Sequence, residues 1–396
     1  MKQRFYALDV FRGATVAFMI LVNNPGSWKY IYPPLDHAGW HGCTPTDLVF
    51  PFFLFAVGNA MAFTMPRFRE AGDAMMWKKV ARRTVLIFCI GLFLNAFPFV
   101  RYNAEGVLEL KAFQNLRILG VLQRIALCYF LAAVMVYYLR PARLFTAGVA
   151  LLLLYWVMCL FWGGADPYSL QGWFGTAIDK TVLGETHMYH GEGVAFDPEG
   201  LMSTIPAVVQ VILGYWAGNF IIRTKNTPVE KKQEPAQAAN GLYPLLTKLF
   251  VAAMLLIFTG LCWNTIFPIN KKIWTSSFVI YTSGMAIVVL ATLIYFIEIR
   301  KWRGAWSHFF DVFGKNPLFI FVLSGIWVRL YGLVRIADGI KEGKPVHKGL
   351  GGWMYDHVFA PLFGNMNGSL LYAVFHILIF WAIAWWLDKR KIYIKV

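Results

Sequence analysis

Two histidines four residues apart stand in a polar break between apolar segments, Leu35-Asp36-His37-Ala38-Gly39-Trp40-His41-Gly42. Imidazole exchanges a proton near neutral pH without special surroundings, so this stretch can do general acid–base work. An amide and a carboxylate flank it. Val22-Asn23-Asn24-Pro25-Gly26 closes the apolar run before the break, and Thr46-Asp47-Leu48-Val49-Phe50-Pro51 opens the run after it. The hairpin so formed can bring Asn23, His37 and Asp47 together at the mouth of two adjacent helices. A carboxylate beside an imidazole orients the ring and favours its charged form. Plainer roles fit the same residues equally well: Asp47 can cap its helix, where the dipole favours a carboxylate, and Asn23 can end one.

His37 and His41 also have the H-x3-H spacing of helical zinc sites, and Glu185, His187, His190 and Glu192 form a second cluster of metal-ligand types. Zinc ligands at that spacing need a continuous helix. Gly39, Gly42 and Pro45 break one here, so no metal is expected.

The elements that must position these residues follow from composition. Of 396 residues 58% are hydrophobic and only 15% charged, with mean hydropathy +0.53. Soluble domains carry about 25% charged residues. Apolar runs of roughly 20 residues, the length of a bilayer crossing, recur from end to end. The chain therefore reads as an all-α polytopic membrane protein. About ten transmembrane helices are expected near 8–23, 47–65, 80–98, 117–139, 142–162, 203–222, 244–266, 275–298, 316–334 and 369–387. The first run contains Asp9 and Arg12 and reads straight into the mature protein, so no cleaved signal peptide is expected.

A net charge of +16 invites comparison with nucleic-acid binders, but its distribution speaks against that. With the N-terminus inside, Lys and Arg number 22 on inside segments and 10 on outside ones. That excess predicts both termini cytoplasmic and the His37 loop external. Positive charge thus sets topology, and no nucleic-acid partner is expected.

Residues 223–241 are polar and basic, the composition of a flexible cytoplasmic linker. They divide a six-span part, 1–222, which carries the hairpin, from a four-span part, 242–396, within one integrated domain. The loops 24–46, 163–202 and 335–368 are rich in Trp, Tyr, Gly and Pro. Disordered segments lack aromatics, so these loops are expected to fold back as a cavity wall, although interfacial anchoring accounts for part of the aromatic content. The five cysteines, 43, 89, 128, 159 and 262, make no CxxC, which implies neither a disulfide framework nor a zinc knuckle. Cys43 reads as a small packing residue.

Charges inside spans need partners, because each costs on the order of 2.5–3.5 kcal/mol at the membrane centre by insertion scales. Asp9 and Arg12, three apart, suggest a local ion pair. Arg117 and Arg124 share one helix face and can either line a path for an anionic ligand or pair with buried carboxylates. Lys315 and Asn316 begin the ninth span, where a helix start can hold phosphate or Asn can simply cap the helix.

Several of these segments resemble a known family. Arg4-Phe-Tyr-Ala-Leu-Asp-Val-Phe-Arg-Gly13 looks like the R-x3-L-D-x-x-R-G opening of transmembrane acyltransferases. VNNPGSW, HAGWHGCTPTDLVFPFFLFAVG, LRILGVLQRIALCYF, IDKTVLGETHMY, FDPEGLMSTIPAVVQVILG, PINKKIW and GKNPL are similar, in that order, to the heparan-α-glucosaminide N-acetyltransferase family, whose bacterial members include some labelled as N-acetylglucosamine-related transporters. The resemblance implies acetyl transfer across a membrane, from cytosolic acetyl-CoA to an amino sugar on the far side. It implies an active-site histidine at His37 within H-A-x-W-x-G, where Trp40 becomes a candidate acceptor contact. It further implies catalytic neighbours at Asn23 and Asp47, and a substrate-side role for His187 in H-M-Y. Arg124, Lys315 and Asn316 become the candidates to hold acetyl-CoA. A homodimer and a bacterial cytoplasmic membrane also follow from the resemblance. The chain starts at the shared core without a preceding luminal domain, so small amino sugars or glycan fragments are expected acceptors rather than heparan itself. Two other functions remain open on the sequence: a carrier for amino sugars, suited by polar residues at mid-membrane, and an acyltransferase with another acceptor or a longer acyl donor.

Overall fold

All ten apolar runs fold as helices in a computed structural model that describes residues 5–103, 106–226, 242–341 and 344–394. In chain order these are α1 (Tyr6–Asn23), α2 (Val49–Ala71), α3 (Asp73–Ala96), α4 (Val121–Tyr138), α5 (Pro141–Trp162), then a short α6 (Gly175–Leu183) and α7 (Leu201–Asn226). There follow α8 (Tyr243–Asn264), α9 (Ser276–Ile294), α10 (Ala305–Lys315), α11 (Pro317–Leu333) and α12 (Asn365–Lys389). Eight helices among the described residues are long and apolar enough to cross a membrane alone, and α10 with α11, bent by 82°, are together apolar enough for a broken span or a re-entrant loop. α3 falls short because Lys78, Lys79, Arg82 and Arg83 load its first half. The protein is an all-α polytopic integral membrane protein. Of the expected linker 223–241, residues 227–241 lie outside the described residues.

Burial tells which helices meet lipid. α5 and α8 present rows of exposed large side chains, including Phe145, Leu153 and Phe161 on α5 and Met254, Leu255 and Phe258 on α8. Such all-round hydrophobicity suits the periphery of a bundle in a bilayer. The interior is built on α1, α2, α7 and α9, where small residues let backbones touch. Gly58 of α2 lies against the Val211 carbonyl of α7, and Gly214 of α7 against the Phe55 carbonyl of α2. Gly13 of α1 and Gly314 of α10 make the same reciprocal contact with the carbonyls of Phe310 and Asp9. Helices from both sides of the linker thus interleave: α1 packs on α2 and α10, and α9 packs on α2 and α7.

The connections at the two ends of the bundle differ in kind. The long segments 24–48, 97–120, 163–200, 265–275 and 334–364 all leave helices at one end. They join one another there. Gly42 N–H donates to the Ile269 carbonyl (2.7 Å), Trp40 Nε1 to the Tyr168 carbonyl (2.8 Å), and Tyr155 Oη to the Ile273 carbonyl (2.5 Å). Two antiparallel hairpins, β1 (Val100–Tyr102) with β2 (Leu108–Leu110) and β3 (Arg335–Lys341) with β4 (Lys344–Gly349), cap the same end. They meet where Arg335 lies 3.7 Å over the Tyr102 ring. The sequence puts its aromatic loops where the structure assembles them.

Because a Cβ at position 58 would overlap the α7 backbone, Gly58→Val should force α2 and α7 apart. Overpacking of a filled interior costs about 1–3 kcal/mol, so the thermal midpoint of the purified protein should fall, whereas Gly39→Ala, where a Cβ meets open space, should leave it unchanged.

Candidate active site

Pro45–Leu48 forms a single helical turn that leads into α2, and Thr44 is its N-cap. Asp47 is the third residue of that turn and reaches back to the cap: its Oδ2 accepts from Thr44 N–H (3.0 Å) and from Ala38 N–H (3.0 Å), with the Thr44 hydroxyl at 3.1 Å. The other oxygen, Oδ1, lies 2.7 Å from His37 Nδ1. The two roles open to Asp47 on the sequence are therefore one arrangement, in which the carboxylate that caps the helix also aims the imidazole. Only 1% of Asp47 is exposed, while the His37 side chain is 42% exposed. With Nδ1 turned to the carboxylate, Nε2 is the nitrogen left for a substrate.

A third group completes the pair. Lys271 Nζ lies 3.3 Å from Asp47 Oδ1 and 3.1 Å from His37 Nδ1. Burial lowers its pKa from the usual lysine value, against the pull of Asp47. The neighbouring Cys43 thiol is pushed up to about 12, by burial and then by the Asp47 charge. It stays protonated at neutral pH and is a packing residue rather than a nucleophile.

His37, Asp47 and Lys271 border a cavity of about 260 Å³ whose walls are aromatic and charged: Trp40, Tyr189 and Trp274, with Arg117, Glu192, Glu199 and Lys272. Its other cations are matched. Arg117 bonds Asp197 (2.6 Å) and Glu199 (2.5 Å) and lies 4.8 Å over the Tyr189 ring, and Lys272 bonds Glu192 (2.8 Å). Arg117 also borders a second cavity of about 300 Å³, lined by the amides of Asn23, Asn24, Asn95 and Gln123 and by Arg329. Asn23 thus sits in the cavity next to the one that holds His37 and Asp47.

A model of the catalytic part of heparan-alpha-glucosaminide N-acetyltransferase matches residues 4–246, more than half of the chain. The chain belongs to that family. The human and mouse heparan-alpha-glucosaminide N-acetyltransferases are each 28% identical to it, over 370 and 375 residues, covering 81% of this chain and 52% and 53% of their own lengths. The chain spans about half the length of these curated relatives.

Against this family background the remaining sequence candidates divide. Trp40 borders the His37 cavity while its indole N–H anchors the 163–200 loop. His187 lies apart from the cavity, with Nδ1 2.8 Å from the Leu116 carbonyl, and steadies the segment that carries Arg117. The three residues expected to hold acetyl-CoA are engaged inside the protein. Arg124 is fully buried, donates to the Gly200 carbonyl (3.0 Å) and to Ser203, and lies 5.2 Å over Trp274. Lys315 sits between Asp311 (2.8 Å) and Asp388 (2.7 Å). The Asn316 side chain ties the bend between α10 and α11 to the backbone of Ile392 and Ile394. Arg117, left between two roles by the sequence, pairs with carboxylates, and Asp9 pairs with Arg12. Among the described residues no three His, Cys, Asp or Glu side chains converge as metal ligands; Glu185 instead pairs with Lys180.

Lys271 and Glu199 escaped the sequence reading as site residues, and Glu192 entered it only in a cluster of metal-ligand types. The one available signal was the consecutive Lys271-Lys272 in a short connection between two apolar helices, where an unpaired cation is costly.

The loop that frames the cavity carries its own pH sensitivity. Asp179 caps α7 by accepting Leu201 N–H (2.8 Å), and burial, with the nearby Asp197 charge, raises its pKa to about 7. A carboxyl group raised above its unfolded value near 3.8 lends stability that is fully present below that value and lost as pH rises through 7. The thermal midpoint should therefore fall between pH 5 and 8, and Asp179→Asn, measured over the same range, should flatten that slope.

Proposed function

We propose that this chain is a transmembrane N-acetyltransferase that moves acetyl from acetyl-CoA to the amine of a glucosamine-type amino sugar, with His37 as general base. The observation that carries the reading is the buried Asp47 carboxylate holding His37 Nδ1 at 2.7 Å on the wall of a sugar-sized aromatic cavity. The amine nitrogen attacks the thioester carbonyl carbon and forms the C–N bond, while its proton passes to His37 Nε2. Collapse of the tetrahedral intermediate breaks the C–S bond, and the departing CoA thiolate takes that proton from the imidazolium. Asp47 fixes the ring and stabilises the imidazolium between the two transfers. Asn23 lines the adjoining cavity and is the candidate to position the thioester or donate to its developing oxyanion. The donor then enters from the Asn23 cavity and the acceptor from the His37 cavity, and thioester carbon and amine meet where the two adjoin beside Arg117.

The excess of Lys and Arg on the opposite segments supports placing the His37 loop outside the cytoplasm. The donor then comes from the basic cytoplasmic side. The curated relatives are named for a heparan glucosaminide, but the cavity here supports a smaller, unsulfated acceptor. Arg117 and Lys272 are neutralised by carboxylates of the same cavity and Lys271 by Asp47, which leaves none of the three cavity cations for a sulfate.

General-base assistance is worth about 10²–10⁴ in rate. His37→Ala should lower acetyl transfer from acetyl-CoA to glucosamine by that factor without loss of acetyl-CoA binding, and glucosamine should be acetylated at least as well as its 6-sulfate. Unchanged turnover in His37→Ala defeats the reading. Acetylated His37 trapped without acceptor would replace the base by a covalent intermediate, and sugar uptake by vesicles with no acetyl transfer would replace the enzyme by a carrier.

A further inference from the structure

Lys271 is held in place more firmly than a loop lysine needs to be. Its connection is tied at both ends: Ile273 N–H donates to the Asn270 side chain (3.0 Å) and Asn270 N–H to Thr275 Oγ1 (3.0 Å). Trp274 takes a left-handed φ of 52° to complete the turn, a conformation bulky residues rarely adopt. Beside it, Gly42 N–H locks this connection to the histidine loop through Ile269. The consequence is an ammonium that approaches the imidazole and the carboxylate at once, from a segment more than 220 residues away in sequence.

The close approach decides where the proton lies. Asp47 Oδ1 at 2.7 Å from Nδ1 requires a proton between them, since two lone pairs cannot face each other at that distance. Nδ1 therefore donates to Asp47, and the Lys271 ammonium, unable to donate to the same nitrogen, donates to Oδ1. Lys271 is then a positive charge 3.1 Å from Nδ1. The other charges that face the imidazole largely cancel. Across the cavity Arg117 is matched by Asp197 and Glu199, and Lys272 by Glu192. Cys43 is a neutral thiol, and the preceding Asp36 is exposed to water, which screens it. What remains is Asp47 favouring the imidazolium and Lys271 opposing it.

We propose that Lys271 is a positioning residue of the acetyl transfer: it takes the second place on Asp47 Oδ1, and its charge keeps His37 neutral with the Nε2 lone pair free to accept the proton of the amine. This rests on the reading of His37 as the base. Without Lys271 the carboxylate is unopposed, and the imidazole stays protonated over more of the pH range.

Diethylpyrocarbonate modifies only neutral imidazole, so its rate at His37 against pH, followed by mass spectrometry of the His37 peptide in the full-length purified chain, reads ionisation without turnover. Lys271→Met and Lys271→Gln should each raise the midpoint by about one pH unit or more, a tenfold loss of neutral imidazole below it. Lys271→Arg should keep the parent's midpoint. The acid limb of kcat/KM should move by the same interval with KM for acetyl-CoA unchanged. A midpoint unmoved in both neutral variants overturns the role given to Lys271. A midpoint that moves in a protein whose transfer survives His37→Ala leaves the charge arrangement standing and removes His37 as the base.

Discussion

One buried carboxylate organises the candidate site. Asp47 has lost nearly all contact with water, and an ionised group so placed is tolerated only when its lone pairs are filled. Two backbone N–H groups fill Oδ2, and an imidazole and an ammonium fill Oδ1. Each donor comes from a different stretch of backbone or fixes one: Ala38 the histidine loop, Thr44 the entry to α2, and Lys271 the connection between α8 and α9. The demand of one anion for donors thus becomes the geometry of the loop, the helix start and the ring.

That arrangement holds only if the helices beneath it do not shift. The reciprocal glycine contacts between α2 and α7 and between α1 and α10 set the spacing of the helices from which the site loops depart. In a bilayer, where lipid tails are as apolar as Leu, such close packing rather than hydrophobic burial drives helix association. α5 and α8 face outward and contribute little but wall, while their connecting loops contribute Tyr168, Glu192 and Lys271 to the assembled end.

The sequence showed the helices well because bilayer thickness imposes a length and a polarity that need no tertiary knowledge. It also showed the first hairpin, since Asn23, His37 and Asp47 are unusual residue types at the edges of apolar runs. What it could not show was partnership between distant segments. Arg124, Lys315 and Asn316 have the donors to hold an anion, yet Arg124 is fully buried with Nη2 on Ser203, Lys315 bonds Asp388, and the Asn316 amide N–H donates to the Ile392 carbonyl. Lys271 entered the reading as a positive charge and within PINKKIW but without a role, because its neighbours lie on a loop more than 220 residues earlier. The same limit applies to Asn23, which shares a cavity with Arg117 that no local pattern encodes.

The wide separation in sequence between Asp47 and Lys271 has a consequence for biosynthesis. The histidine hairpin emerges among the first segments to be inserted, whereas Lys271 arrives only after seven long helices are in place. Until then Asp47 lacks a donor and the imidazole lacks its opposing charge. A half-translated chain therefore presents the histidine hairpin without its ammonium partner, and the arrangement is completed late, once α8 and the connection to α9 have emerged.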